Sequence, residues 1–154
     1  MMKKVIIISL LLSLMVIIAG CSSAPKVDNT ITNGEKITVY KDKNCGCCGN
    51  YVAGLTREGF DVEVINAENM NTIKSKYNVP LSMQSCHTAV IGDYFIEGHI
   101  PYEAVIKLLT ERPDIDGIAM PGMPSGSPGM PGAKLAPFEI YAVTDGEMSP
   151  YMTI

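Results

Sequence analysis

Between Ile37 and Pro113 the apolar residues change period repeatedly, from strand-like alternation to helical spacings of three and four and back. That switching confines the chain to an α/β fold. Ile37 to Tyr40 is a short β-branched and aromatic run, and Val62 to Ile65 is another, each bounded by Gly, Asp or Asn. Between them Cys48, Tyr51, Val52 and Leu55 recur at helical spacing, and Gly59 supplies a C-cap. Asn69 or Asn71 can cap a second helix with Met70, Ile73 and Tyr77 on one face, which Val79-Pro80 ends. Thr88 to Ile91 and Tyr94 to Glu97 flank Gly92-Asp93, a two-residue hairpin turn. Pro101 opens a third helix with Val105, Leu108 and Leu109 facing inward and Pro113 beyond its end. The predicted order is β-α-β-α-β-β-α, with the first two strands parallel through a right-handed crossover.

Both ends depart from this pattern. Met1-Met2-Lys3-Lys4 precedes an apolar block from Val5 to Ile18, shorter than the roughly 20 residues of a membrane-spanning helix. Ile18-Ala19-Gly20-Cys21 follows, so the start reads as an export signal. Its end resembles the bacterial lipobox, which implies cleavage before Cys21 and a lipid on that residue. The expected divisions are a signal over 1–20, a flexible tether over 21–35, a folded domain over 36–116 and an extension over 117–154. The expected location is outside the cytoplasm, on a bacterial membrane. Losing Lys3 and Lys4 takes the balance from 12 basic against 16 acidic residues to 10 against 16, a formal −6. That charge disfavours nucleic acid as a partner. Gly117 to Pro137 holds five Gly and five Pro in 21 residues, which excludes a regular helix or central strand. Met120, Met123 and Met130 are expected to anchor this segment along the domain, and Phe138 to Val143 to add an edge strand.

The chemistry is concentrated in Cys45-Gly46-Cys47-Cys48, three thiols at a strand-to-helix turn, where helix N–H groups favour thiolate. The element order, with cysteines between the first strand and first helix, resembles the thioredoxin-like fold. In that fold the loop entering the hairpin faces these cysteines, and here it carries Ser85-Cys86-His87-Thr88. On that resemblance four thiols converge. Structural disulfides are one reading, although a bridge closing so short a segment gains little loop entropy. A dithiol oxidoreductase is a second, since Cys45 and Cys48 have CxxC spacing, but it leaves Cys47 and Cys86 unused. A soft-metal site is the third and uses all four. Thiolates select Cu(I), Zn(II) or iron–sulfur clusters, and the neighbouring thioethers lean towards Cu(I). Zinc is disfavoured because adjacent Cys47 and Cys48 fit one tetrahedral ion poorly. No Ser-His-Asp arrangement, phosphate-binding loop or paired-carboxylate motif accompanies them, so no catalytic residue is assigned.

Cys45-Gly46-Cys47-Cys48, Cys86-His87-Thr88-Ala89, Glu97-Gly98-His99-Ile100-Pro101 and the run from Pro121 to Met130 together resemble the CopG family of bacterial copper-resistance proteins. The resemblance runs from about Ile37 to Val143. It implies an exported thioredoxin-like domain that binds copper through Cys45, Cys47, Cys48 and Cys86. It also implies work in copper redox handling or transfer, alongside other copper-handling proteins. His87, His99 and Met123 are secondary candidates as ligands or neighbours of the cluster. Tyr40, Tyr51 and Tyr77 fit the core pattern.

Overall fold

The computed structural model describes Val27 and residues 29–154. The signal, Cys21 and most of the tether lie outside the described residues. Twelve elements follow in chain order. They are α1 (Asn29–Thr32), β1 (Ile37–Lys41), α2 (Gly46–Glu58), β2 (Val62–Asn66), α3 (Met70–Lys76), a 3-10 turn (Leu81–Met83), β3 (His87–Ile91), β4 (Tyr94–Glu97), α4 (Tyr102–Glu111), β5 (Gly117–Ala119), β6 (Glu139–Thr144) and β7 (Glu147–Thr153). From β1 to α4 the main elements follow the order that the periodicity predicts. Among the described residues no helix is long and apolar enough to cross a membrane.

Among the described residues seven strands form one sheet in the order β2-β1-β3-β4-β5-β6-β7. β1 runs parallel to β2 and antiparallel to β3, and β4 runs parallel to β5. Strand alternation sorts the side chains onto two faces. Ile37, Val39, Ala89, Ile91, Ile96, Ile118 and Ile140 share one buried cluster with Tyr51 and Leu55 of α2 and Val105 and Leu108 of α4. Phe95, Ala119 and Val143 form a smaller cluster on the other face with Val79 and Met83. In β3 the same alternation sends His87 to the α2 face and Thr88 to the α3 face.

The helix ends form for local reasons. Gly59 closes α2 at φ 104, and its N–H returns to Leu55 and Thr56. The Asn69 side chain accepts from the N–H of Asn71 at the start of α3. The buried residue of α3 is Lys74, whereas Met70, Ile73 and Tyr77, the face that spacing suggested, are only half-buried.

Three expectations are corrected. Folding begins before residue 36: Val27 is buried and donates to the carbonyl of Glu58, and α1 buries Thr32. Arg112 ties this segment down by reaching Glu35 and the carbonyl of Ile31. Secondly, the start of the Gly/Pro segment is a central strand, because Gly117–Ala119 precedes the first proline and lies between β4 and β6. A Cβ on Gly117 would sit 2.2 Å from the Phe95 carbonyl oxygen, so only glycine lets β5 approach β4 this closely. Thirdly, β6 is an interior strand, since β7 pairs with its outer side through the Asp145-Gly146 turn. The methionines also divide. Met120 is buried, but Met123 is 52% exposed and anchors nothing.

The close approach at β5 gives a test in urea unfolding. Gly117→Ala should lower stability by about 1–3 kcal/mol, the usual cost of forcing atoms into a packed site. Gly49→Ala, at an exposed position of α2 with nothing within 4 Å of the added methyl, should raise it by roughly 0.5–1 kcal/mol.

Candidate metal centre

The Cys45-Gly46-Cys47-Cys48 turn is built by backbone bonds from both sides. Asp42 accepts the N–H of Asn44 on its side chain, at 2.7 Å, and that of Cys45 on its carbonyl, at 3.0 Å. Cys45 is the N-cap of α2, so Cys47 and Cys48 occupy a first helical turn whose N–H groups have no intrahelical acceptor. Cys45 and Cys48 are joined in a disulfide, while Cys47 and Cys86 are free. The Sγ atoms of Cys45 and Cys47 lie 3.5 Å apart.

Cys86 enters from the opposite side, one residue before β3. The sulfurs of Cys45, Cys47, Cys48 and Cys86 all lie within 4.8 Å of one another. A second set with the same mutual spacing joins Cys48 and Cys86 to His87 and His99. The candidate centre therefore has two halves that share two sulfurs. Cys86 Sγ is 3.0 Å from His99 Nε2 and 3.3 Å from His87 Nδ1. His99 Nδ1 donates to the Pro128 carbonyl at 2.6 Å, which leaves Nε2 as a bare acceptor facing the thiol. A backbone carbonyl on one ring nitrogen is the usual way a ligating imidazole is aimed. His87 Nε2 is buried with no hydrogen-bond partner.

Burial and charge set the titration of the site. Burial, reinforced by electrostatic repulsion from neighbouring Cys47, pushes the Cys86 thiol up to about 11. Burial, then the charges of His99, Lys74 and Lys41, takes His87 down to about 3. Lys41 is the residue opposite His87 in the β1–β3 register. Burial lowers His99 too, opposed by its bond to Pro128. Both imidazoles are thus neutral at physiological pH, with lone pairs available. Neither cluster contains a carboxylate, so the donors are thiolates and imidazoles, which suit copper or zinc and not calcium or magnesium.

Tyr51 walls the site from α2. Its ring centroid lies 4.6 Å from that of His87 and 5.6 Å from that of His99, and its hydroxyl donates to the Ile100 carbonyl. Sequence spacing places Tyr51 in the core; it is that and a wall of the site as well. Tyr40 and Tyr77 are half-buried and stack on each other, away from it. Met130 shares with Cys47, Asn50, Arg57 and Gly129 a cleft of about 700 Å³. A Cβ on Gly129 would lie 2.8 Å from the Cys47 carbonyl oxygen, so this loop lies directly against the start of α2. Residues 128–130 therefore belong to the site, a role that composition alone does not reveal.

These features define a mixed α/β protein with a cysteine cluster that could bind a metal ion, assembled from two loops and walled by a Gly/Pro segment. Two solved structures are similar to this chain in sequence and fold. One, titled "Copper resistance protein copG- Form 2", is 41% identical, with a TM-score of 0.73, over 78% of this chain and 98% of that one. Its Form 1 counterpart is also 41% identical, with a TM-score of 0.72, over 77% of this chain and 96% of that one. Residues 83–130 match a family described as "Protein of unknown function, DUF411". No curated protein matches. The chain belongs to the CopG family of copper-resistance proteins.

The lowered His87 gives a pH test with a defined sign. An unfolded histidine takes its proton near 6.5, but folded His87 resists until about pH 3. Between those values the unfolded chain binds more protons, so this contribution to stability is present above pH 6.5 and lost as pH falls towards 3. Urea midpoints should fall across that window, and His87→Gln should flatten the slope. An equal slope in that variant would assign the effect elsewhere.

Proposed function

We propose that this chain is an extracytoplasmic copper-binding protein that holds Cu(I) on Cys45, Cys47, Cys48 and Cys86, as a multinuclear thiolate cluster. Its work is copper resistance by buffering or transfer. The observation that carries the reading is the meeting of four sulfurs from two loops within 4.8 Å. Soft donors, the absence of any carboxylate in the set and the titles of the solved relatives support copper over harder ions. Adjacent Cys47 and Cys48 suit bridging between several ions better than the corners of one zinc tetrahedron. His87 and His99 stand beside Cys86 as further donors. Met123, largely exposed, has less claim than Met130.

Reduction of the Cys45–Cys48 bridge by an external dithiol, itself oxidised to its disulfide, yields two thiols and brings the set to four. Metal then displaces their protons, so affinity rises with pH. Titrating the reduced protein anaerobically with Cu(I) should give more than one ion per chain, with thiolate charge-transfer absorption. Cys86→Ser should lose most of the metal, and unchanged stoichiometry would overturn this ligand set.

A second reading has its own observation, the Cys45–Cys48 disulfide itself. Cys48 is fully buried and Cys45 is partly exposed, so an incoming thiolate would attack Cys45 and release Cys48. In this reading the protein is a thiol-disulfide or copper-linked oxidoreductase. Insulin reduction under a range of redox buffers discriminates the two: turnover favours the enzyme, and its absence favours the copper holder.

Export and lipid attachment at Cys21 complete the proposal and rest on Ile18-Ala19-Gly20-Cys21. Metabolic labelling with a fatty acid should mark the wild type and not Cys21→Ala. Label surviving that substitution would remove the anchor.

A further inference from the structure

Glu97 is fully buried at the end of β4, on the face of the sheet away from the thiols. Its counter-charge is Lys74, 4% exposed, which reaches up from α3 to bond Glu97 Oε1 and, at 3.2 Å, Thr88 Oγ1. The remaining capacity of the carboxylate is spent on one segment. Oε1 accepts the Ser85 N–H at 2.6 Å, and Oε2 accepts the Thr88 hydroxyl at 2.6 Å. Those two bonds bracket the dipeptide Cys86-His87. The next residue adds a third tie, since Gly98 N–H donates to the His87 carbonyl at 3.1 Å.

We propose that Glu97, paired with Lys74, is a positioning residue that holds Cys86 against the α2 thiols by gripping the chain on both sides of Cys86-His87. Cys86 has no helix to place it; it lies between the 3-10 turn and the first residue of β3. Without the Ser85 tie its sulfur would be free to leave Cys47 and His99. A purely packing role would not need charges, because buried ion pairs are often replaced by apolar side chains of similar volume without loss of stability. The two carboxylate oxygens instead match two donors that flank the candidate ligand. The proposal rests on the reading of Cys86 as a ligand.

The test uses two double variants of the reduced full-length chain. K74M/E97Q removes both charges but keeps an acceptor for Ser85 and a polar partner for Thr88. K74M/E97M removes both charges and the grip. Peptide-resolved mass spectrometry follows iodoacetamide alkylation of Cys86 in the metal-free protein. Cys86 should react about tenfold faster in K74M/E97M, as expected for a locally released segment, and near the wild-type rate in K74M/E97Q. Cu(I) affinity by chelator competition should fall about 10- to 100-fold in K74M/E97M and be restored in K74M/E97Q, the range for lost partners of metal ligands. Wild-type rates and affinity in a folded K74M/E97M would overturn the proposal, as would equal defects in both variants. Where K74M/E97M fails to fold, Thr88→Val removes the Thr88 bonds to Glu97 and Lys74 and leaves the Ser85 tie in place; faster alkylation of Cys86 supports the grip and an unchanged rate overturns it. Absence of Cu(I) binding by the wild type would sink the copper reading, while the alkylation ratio would still decide the positioning role.

Discussion

A carboxylate cannot lie fully inside a protein without a counter-charge and hydrogen bonds, and Glu97 has both only because α3, β3, β4 and the Ser85 loop meet around it. Those elements are therefore fixed relative to one another by a single requirement. The consequence passes through the sheet. Thr88 faces the ion pair while His87, its neighbour, faces α2 and Tyr51, so a polar constraint on one face dictates the placement of an imidazole on the other. On the α2 side Pro128 performs a matching service for His99. The thiols thus lie between two rigid attachments, neither of which uses a sulfur.

This arrangement bears on how oxidation and metal binding compete. The same Cys45 and Cys48 that close a disulfide also belong to the four-sulfur set, so bridge and metal cannot both have them. Burial of Cys86 keeps its thiol protonated at neutral pH, which protects it against alkylating and oxidising agents until a metal takes the proton's place. Cys86 is therefore a sulfur for which metal, and not solvent, is the stronger competitor. Met130 and Arg57 line the open cleft that leads to Cys47.

Much of the fold was legible because hydrophobic period is a local property. The βαβ unit, the Gly92-Asp93 hairpin and the Pro101 helix start all follow from spacings within a few residues. The convergence of Cys86 on Cys45-Gly46-Cys47-Cys48 came through resemblance, since no local pattern brings residues 86 and 45 together. What was missed is instructive. Glu97 ends the otherwise apolar run Tyr94-Phe95-Ile96, and alternation puts it on the face of buried Phe95; Lys74, three residues before Tyr77, is the cation that pairs with it. The signal was present but required a topology to pair them. Pro128, by contrast, offered none, because its contribution is a backbone carbonyl and any residue has one. The strand at Gly117–Ala119 was obscured by judging the proline-rich segment as a whole, when its first residues precede every proline.

The two-residue period of β3 has a further meaning for how this protein can vary. His87 and Thr88 stand back to back on a strand paired on both sides, with β1 and with β4. A one-residue slip of β3 against β1 and β4 would turn the Thr88 hydroxyl towards the thiols and the His87 imidazole into the ion pair, inverting both environments at once. No neighbouring substitution restores a lost half-period. The Asp145-Gly146 turn, exposed and remote from the site, has no such parity to keep. A change of chain length therefore costs least at the far end of the sheet and most around Cys86, where only an exchange of side chains keeps the two faces in place.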